Sequence, residues 1–382
     1  MFMIGGGNLI YFDNSASSRI KPPEVVLGVL GGLTKYSANP GRAGHDLSLE
    51  TSIEIMRVRE KIRAHVGAEK AESVIFTSGC TEALNFAILG SARRGGHIII
   101  SGNEHNSVVR PVEFLKRNWG VSYSICQPNE QGMVTEKEIE RLITPRTYLV
   151  VCNHTSNVNG DMADISGIGK MCFDKNILFL VDGAQSLGHE RIDMVRDRID
   201  FLAIAGHKGL LGPQGVGALV INGDIKLNPL KHGGSGTNSV EAVMPEDYPE
   251  RLEAGTIGTP AILGLGAGVE WVDAHFDEIQ QKTHEISEYA YNKLKDINNI
   301  TLYTRAQFAK NGVLAFNVRG VQSTTVSDIL NQNGICVRAG LHCAPVKHRS
   351  LGTLENGCVR ASFSHLNTCD EVDKMIEVLK NL

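Results

Sequence analysis

The stretch LFLVDGAQ at residues 178–185, followed by FLAIAGHKGLLGP at 201–213, decides how this chain folds. Each begins as a short apolar run of strand length and ends abruptly in small and polar residues, as a strand buried on both faces of a parallel sheet does. In such sheets the functional groups gather at the carboxyl ends of the strands. The first run ends in Asp182, and the second passes into glycines that flank Lys208. A carboxylate at a strand end either caps the next turn or faces a protonated ring nitrogen. A lysine in the second position is either solvated or, where partly desolvated, an amine able to condense with an aldehyde.

Outward from these runs, apolar strands are expected at 73–77, 97–100, 121–126, 147–152, 177–181, 201–204 and 216–221. Helix-period segments lie between them at 80–92, 107–118, 135–142 and 165–175. This alternation predicts βαβ units and a mostly parallel seven-stranded sheet. After Pro229 the composition turns to Gly, Pro and polar residues, so 231–236 and 244–258 read as loops. Thr259 and Pro260 form a helix start, an N-cap followed by proline at the first helical position, and open a long helix toward Leu294. Further strands are expected at 313–318 and 335–338 and a helix at 370–379. The expected division is a large domain at 18–258 and a smaller α+β domain made of 1–17 and 259–382. Gly264, Gly266 and Gly268 fall inside the long helix and do not form a dinucleotide-binding turn; residues 206–209, GHKG, lack the spacing of a P-loop.

The 382 residues are 42% hydrophobic and 21% charged with a net charge of −4, which excludes a disordered chain. Charges of both signs are mixed along the sequence, so no footprint for nucleic acid or an anionic membrane is expected. No apolar run has membrane-spanning length. Residues 1–8 have no basic segment and are interrupted by Gly5, Gly6 and Gly7, unlike a signal peptide. The eight cysteines are scattered without close pairs, which fits reduced thiols and a cytoplasmic location. Small-molecule chemistry is the expectation that remains.

Two further segments carry that chemistry. SVIFTSGCTEALN at 73–85 is an apolar strand, a tight Ser-Gly turn and a helix start, a geometry that aims backbone N–H groups and the helix dipole at a phosphate. An ordinary helix cap looks the same, and only the order along the chain adds weight: phosphate-type turn, strand-end Asp182, strand-end Lys208, all on one rim of one sheet. In VRAGLHCAP at 337–345, Cys343 sits among Gly, Ala and Pro, which marks an accessible thiol, with Arg338, His342 and Lys347 near in sequence. Cys126, Cys152 and Cys172 lie in apolar runs and read as small buried residues. Arg338 and Arg360 are planar forks suited to a carboxylate. His342, Cys358, His365 and Cys369 follow no regular zinc spacing, so no metal is expected.

At these residues the sequence resembles the class V aminotransferases of the fold-type I pyridoxal-5′-phosphate (PLP) enzymes, and within them the SufS-like and NifS-like cysteine desulfurases. The resemblance runs from YFDNSAS at 11–17 to VRAS at 359–362. It implies that Lys208 carries PLP as a Schiff base, that Asp182 partners the ring nitrogen and that Gln185 donates to the ring's phenolic oxygen. His105, in the run NEHNS, would stack on the ring and handle protons, and Asn157 would be a further ring contact. Cys80, Thr81 and His207 would hold the phosphate, and Gly255 and Thr256 would reach the phosphate of the neighbouring subunit, implying a homodimer with shared active sites. Arg360, Arg338 and Asn14 would bind substrate, and Cys343 would take sulfur from L-cysteine as a persulfide, releasing L-alanine and passing the sulfur to an acceptor protein, as in iron–sulfur cluster assembly. Ala205 and Cys80 depart from the family pattern, which commonly has hydroxyl residues there. Selenocysteine lyase, another class V aminotransferase or lyase, and an inactive sulfur carrier or scaffold are the alternative readings.

Overall fold

Seven apolar runs become one sheet. In a computed structural model, which describes residues 9–41 and 44–382, they form β1 Val74–Thr77, β2 His97–Ser101, β3 Ser122–Cys126, β4 Thr147–Asn153, β5 Leu178–Asp182, β6 Phe201–Ala205 and β7 Gly217–Ile221. Residues 1–8, read above as unlike a signal peptide, lie outside the described residues with Arg42 and Ala43. The strand order is β1-β7-β6-β5-β4-β2-β3. The pairs β2–β3, β2–β4, β4–β5 and β5–β6 are parallel, and β7 runs antiparallel to both β1 and β6. The reversal has a simple cause: residues 206–216, which carry Lys208, join β6 to β7 without a crossover helix, and so short a link returns the chain antiparallel. Strands β5, β6 and β7 are buried nearly throughout, and two apolar clusters cover the two faces of the sheet.

This sheet belongs to a unit comprising Ile20–His154 and Ala163–Phe276. The helix Thr259–Lys295 starts at the expected threonine and runs through its three glycines. A Cβ at Gly264 would stand 2.6 Å from Val29 Cγ2, one at Gly266 2.5 Å from Val58 Cγ2, and one at Gly268 2.4 Å from the Leu210 carbonyl oxygen. The glycines are thus a packing groove, the structural reason they make no nucleotide fingerprint. No helix among the described residues is long and apolar enough to cross a membrane.

The second unit comprises the described residues up to Arg19, Thr155–Met162 and Asp277–Leu382. Its antiparallel sheet consists of β8 Ile300–Leu302, β9 Val313–Val318, β10 Arg338–Gly340 and β11 Cys358–Ser362, in the order β10-β11-β9-β8. The single strand expected at 335–338 divides in two: Ile335–Cys336 pairs with Ile10–Tyr11, while Arg338 begins β10. Phe12, Phe316, Phe363, Leu314 and Met375 are among the buried residues of its core.

Candidate active site

The rim of the large sheet gathers the first group of residues. Asp182 is the last residue of β5 and is 3% exposed; its Oδ1 accepts the Ala184 N–H at 3.0 Å and the Cys80 thiol at 3.3 Å. Burial, and then the Asp182 charge, push the Cys80 thiol well up, so it stays protonated and donates. The Cys80 side chain, expected beside a phosphate, is turned to the Asp182 carboxylate, while its backbone N–H opens the helix. The helix Cys80–Gly90 begins at Gly79, which has φ +152° and no side-chain cap bond, and open space surrounds the position a Cβ would take. The first N–H groups of a helix have no partner within it. Gly79 therefore leaves the start of this helix uncovered, with exposed Thr81 beside it.

Thr81 Oγ1 lies 2.8 Å from Ser107 Oγ, which lies 2.8 Å from His105 Nδ1. His105 caps the helix Asn106–Trp119, its Nδ1 accepting the Ser107 N–H at 3.1 Å. That bond requires a lone pair on Nδ1, so a neutral His105 carries its proton on Nε2. Lys208 and His207, both partly buried, follow β6, and the Lys21 ammonium donates to the His207 carbonyl at 3.1 Å. Burial, then Lys208 and Lys21, lower the His207 imidazole to about 4, and burial lowers Lys21 to about 8. Gln185 is partly buried, three residues beyond Asp182; Gly255, at φ +93°, and Thr256 are exposed.

Glu104, which sequence reading passed over, is fully buried between these residues. Its Oε1 accepts from Ser101 Oγ at 2.6 Å and the Asn153 N–H at 2.7 Å, and Oε2 has no hydrogen-bond partner among the described residues. Burial pushes its carboxyl up to about 8, against the two hydrogen bonds from Ser101 and Asn153 and with help from the Asp182 charge. It is a neutral acid beside the Asp182 carboxylate.

The smaller unit gathers the second group. Arg338 and Arg360 are direct cross-strand partners of β10 and β11, so both side chains stand on one face of the sheet. Arg360 is 1% exposed; its Nη1 donates to the Asn157 carbonyl at 2.9 Å and its Nη2 to Asp13 Oδ1 at 2.6 Å, while Nε has no partner among the described residues. Asp13 is the second residue missed, an acid that holds the fork in place. Asn14 donates to the carbonyls of Tyr11 and Ser362, both at 3.2 Å, and so ties the first strand to the end of β11. Asn157 Nδ2 donates to the His342 carbonyl at 2.8 Å, whereas its buried Oδ1 has no partner among the described residues.

Cys343 is exposed and follows His342, with φ +56° and +48° respectively. Two successive side-chain-bearing residues in the left-handed region cost about 1–3 kcal/mol each, a strain found at functional turns. The expected cluster of three cations about this thiol is corrected. Burial, then the Arg360 charge, lower the His342 imidazole to about 3, so it is neutral. Lys347 is paired with Asp161 at 2.5 Å, both buried, and Asp161 also takes Arg305 at 2.6 Å. Arg338 is the cation that stays partly exposed in the turn's own strand.

A mostly parallel seven-stranded sheet with a buried strand-end carboxylate and a strand-end lysine on its rim, and a small antiparallel sheet in the second unit, is the architecture of the fold-type I class. The class-V aminotransferase family model matches residues 10–375, and the chain belongs to that family. Within it, the probable cysteine desulfurase of Borreliella burgdorferi is 32% identical over 98% of this chain and 92% of its own length. The cysteine desulfurase of Haloferax volcanii is 30% identical over 97% of this chain and 88% of its own. The apo structure of a cysteine desulfurase from Thermococcus onnurineus NA1 superposes with a TM-score of 0.89 at 32% identity, covering 98% of this chain and 94% of that one.

Proposed function

We propose that this chain is a PLP-dependent cysteine desulfurase that converts L-cysteine to L-alanine and keeps the sulfur as a persulfide on Cys343. The observation that carries this reading is Cys343 itself: the one thiol on a strained, exposed turn, in a unit where two arginines face each other across a ladder. The residues at the sheet rim suit the cofactor. The uncovered helix start at Gly79 and Thr81 fit its phosphate, Asp182 fits a protonated ring nitrogen, and Lys208 fits its aldehyde. Bound there, PLP supplies an electrophile for the substrate amine and a ring that spreads the charge left by the departing α-proton.

The protein's own groups then divide the work. Arg360 holds the α-carboxylate with its fork, positioned by Asp13. The Lys208 amine takes the α-proton. His105, with its proton on Nε2, would supply or return a proton. Cys343 thiolate attacks the substrate's sulfur; the S–S bond forms, and the C–S bond breaks with its electron pair going to the carbon that becomes the methyl of alanine. The bound sulfur passes to a thiol of an acceptor protein. A homodimer with shared sites agrees with the exposed row Val26, Leu27, Leu30 and Leu33 on the helix Pro23–Leu33, and with the open, exposed Gly255–Thr256 turn.

The test incubates the PLP-loaded protein with cysteine and measures alanine together with the mass of the Cys343 peptide. One added sulfur on that peptide and loss of alanine release in Cys343→Ala are expected; undiminished alanine release in Cys343→Ala overturns the proposal.

A further inference from the structure

Beside the Cys343 turn lies a group that the reaction above does not use. His342 comes from the turn, His348 from the helix Pro345–Ser350 and Cys358 from the start of β11; they are 3%, 0% and 0% exposed. His342 Nδ1 is 3.3 Å from His348 Nε2 and 4.0 Å from Cys358 Sγ, and the three ligand atoms all lie within 4.8 Å of one another. Their irregular spacing, six and then ten residues, hid them from a search for zinc patterns.

Each ring is held from its far side. His342 Nε2 lies 3.4 Å from the Arg338 carbonyl, an acceptor only, so Nε2 carries the proton and Nδ1 the lone pair. His348 Nδ1 lies 2.8 Å from Thr353 Oγ1, a hydroxyl that both donates and accepts and that holds the ring from its far side. The His342 Nδ1 lone pair therefore lies 3.3 Å from His348 Nε2, beside a sulfur at the outer limit of hydrogen bonding. Two nitrogens bound at about 2.0–2.1 Å to one tetrahedral cation are separated by roughly 3.3 Å, the separation found here.

We propose that His342, His348 and Cys358 bind one divalent cation of the zinc class, with Thr353 and the Arg338 carbonyl as the outer groups that orient the two rings. Two imidazoles and a thiolate are a borderline-soft ligand set, suited to zinc or cobalt and poorly to magnesium or calcium. The cation joins three separate elements of the smaller unit and holds the residue directly before Cys343, so its role is to fix the nucleophile's turn.

Full-length PLP-loaded protein is dialysed against Zn²⁺, then separately against Co²⁺, with metal content and the cobalt difference spectrum as readouts. The expected result is one cation per chain and a thiolate-to-cobalt charge-transfer band, lost in Cys358→Ser and kept in Cys343→Ala. Thr353→Val, which retains all three ligands, is expected to weaken binding by about 10–100-fold. Failure to bind a stoichiometric cation, a band that follows Cys343 instead of Cys358, or unchanged affinity in Thr353→Val overturns the proposal.

Discussion

Replacing Asp161 by Asn removes a charge from the interior of the smaller unit without changing its shape. Asp161 is fully buried; its Oδ2 receives the Lys347 ammonium, 2% exposed, and the Arg305 guanidinium, 36% exposed. Its carbonyl accepts the Ser156 N–H at 2.7 Å and so closes the turn that holds Asn157 against Arg360 and His342. Burial, with a smaller push from the Arg305 charge, drives the Lys347 amine below its ordinary value, and Asp161 opposes this. Asp161→Asn leaves that ammonium buried without its counter-charge, which costs about 3–5 kcal/mol. The half-exposed Arg305 pair adds at most about 1 kcal/mol. The loss is a large share of a typical folding free energy of about 5–15 kcal/mol. Because the penalty belongs to the stranded charge, Asp161→Asn combined with Lys347→Met is expected to recover most of it. Urea unfolding of the two single variants and the double variant measures the cycle. A cost below about 1 kcal/mol for Asp161→Asn, or a double variant no more stable than that single one, refutes the reasoning.

Three other outcomes are expected. Folded Glu104 holds a proton up to about pH 8 that an unfolded glutamate releases near 4.5; stability therefore falls as pH rises through that window, and Glu104→Gln, the isostere of the neutral acid, escapes the fall. At about 1.36 kcal/mol per pH unit, this variant matches the parent near pH 4.5 and exceeds it by an order of 3 kcal/mol at pH 7, so parity at pH 7 in denaturant titrations contradicts the assignment. Arg360→Lys keeps the charge and loses the fork, and is expected to lower kcat/KM for cysteine by about 10–100-fold, mainly through KM; a change under threefold contradicts the clamp. Brief alkylation of the native protein followed by peptide mapping is expected to modify exposed Cys343 and Cys369 and to spare buried Cys126, Cys152 and Cys172; early modification of Cys152 contradicts the burial.

The large sheet was legible because its strands are buried on both faces, so that Leu178–Asp182 and Phe201–Ala205 read as unbroken apolar runs. Where burial and apolarity part company, legibility fails. The helix Pro23–Leu33 turns its large side chains outward and packs through glycines: a Cβ at Gly28 would be 2.8 Å from the Leu263 carbonyl oxygen, and one at Gly32 2.5 Å from Pro260 Cα. Its periodicity therefore marks no core face. β11 escaped because Arg360 sits at its centre. Lys208, Asp182 and Cys343 were visible as chemical residues at breaks in local pattern. Glu104, Asp13, Asp161 and His348 were not, since their partners are distant in the chain or the run around them is ordinary loop composition. That the Cys80 side chain turns to Asp182 is a choice of rotamer that composition does not encode.

The central claim is that Lys208 is the amine that carries the cofactor. Purified protein loaded with PLP is reduced with borohydride and mapped by peptide mass. The account predicts a single reduced pyridoxyl adduct on Lys208, absent in Lys208→Arg. An adduct on Lys21, whose amine is lowered to about 8 and is the natural competitor, or no adduct on any lysine, contradicts it.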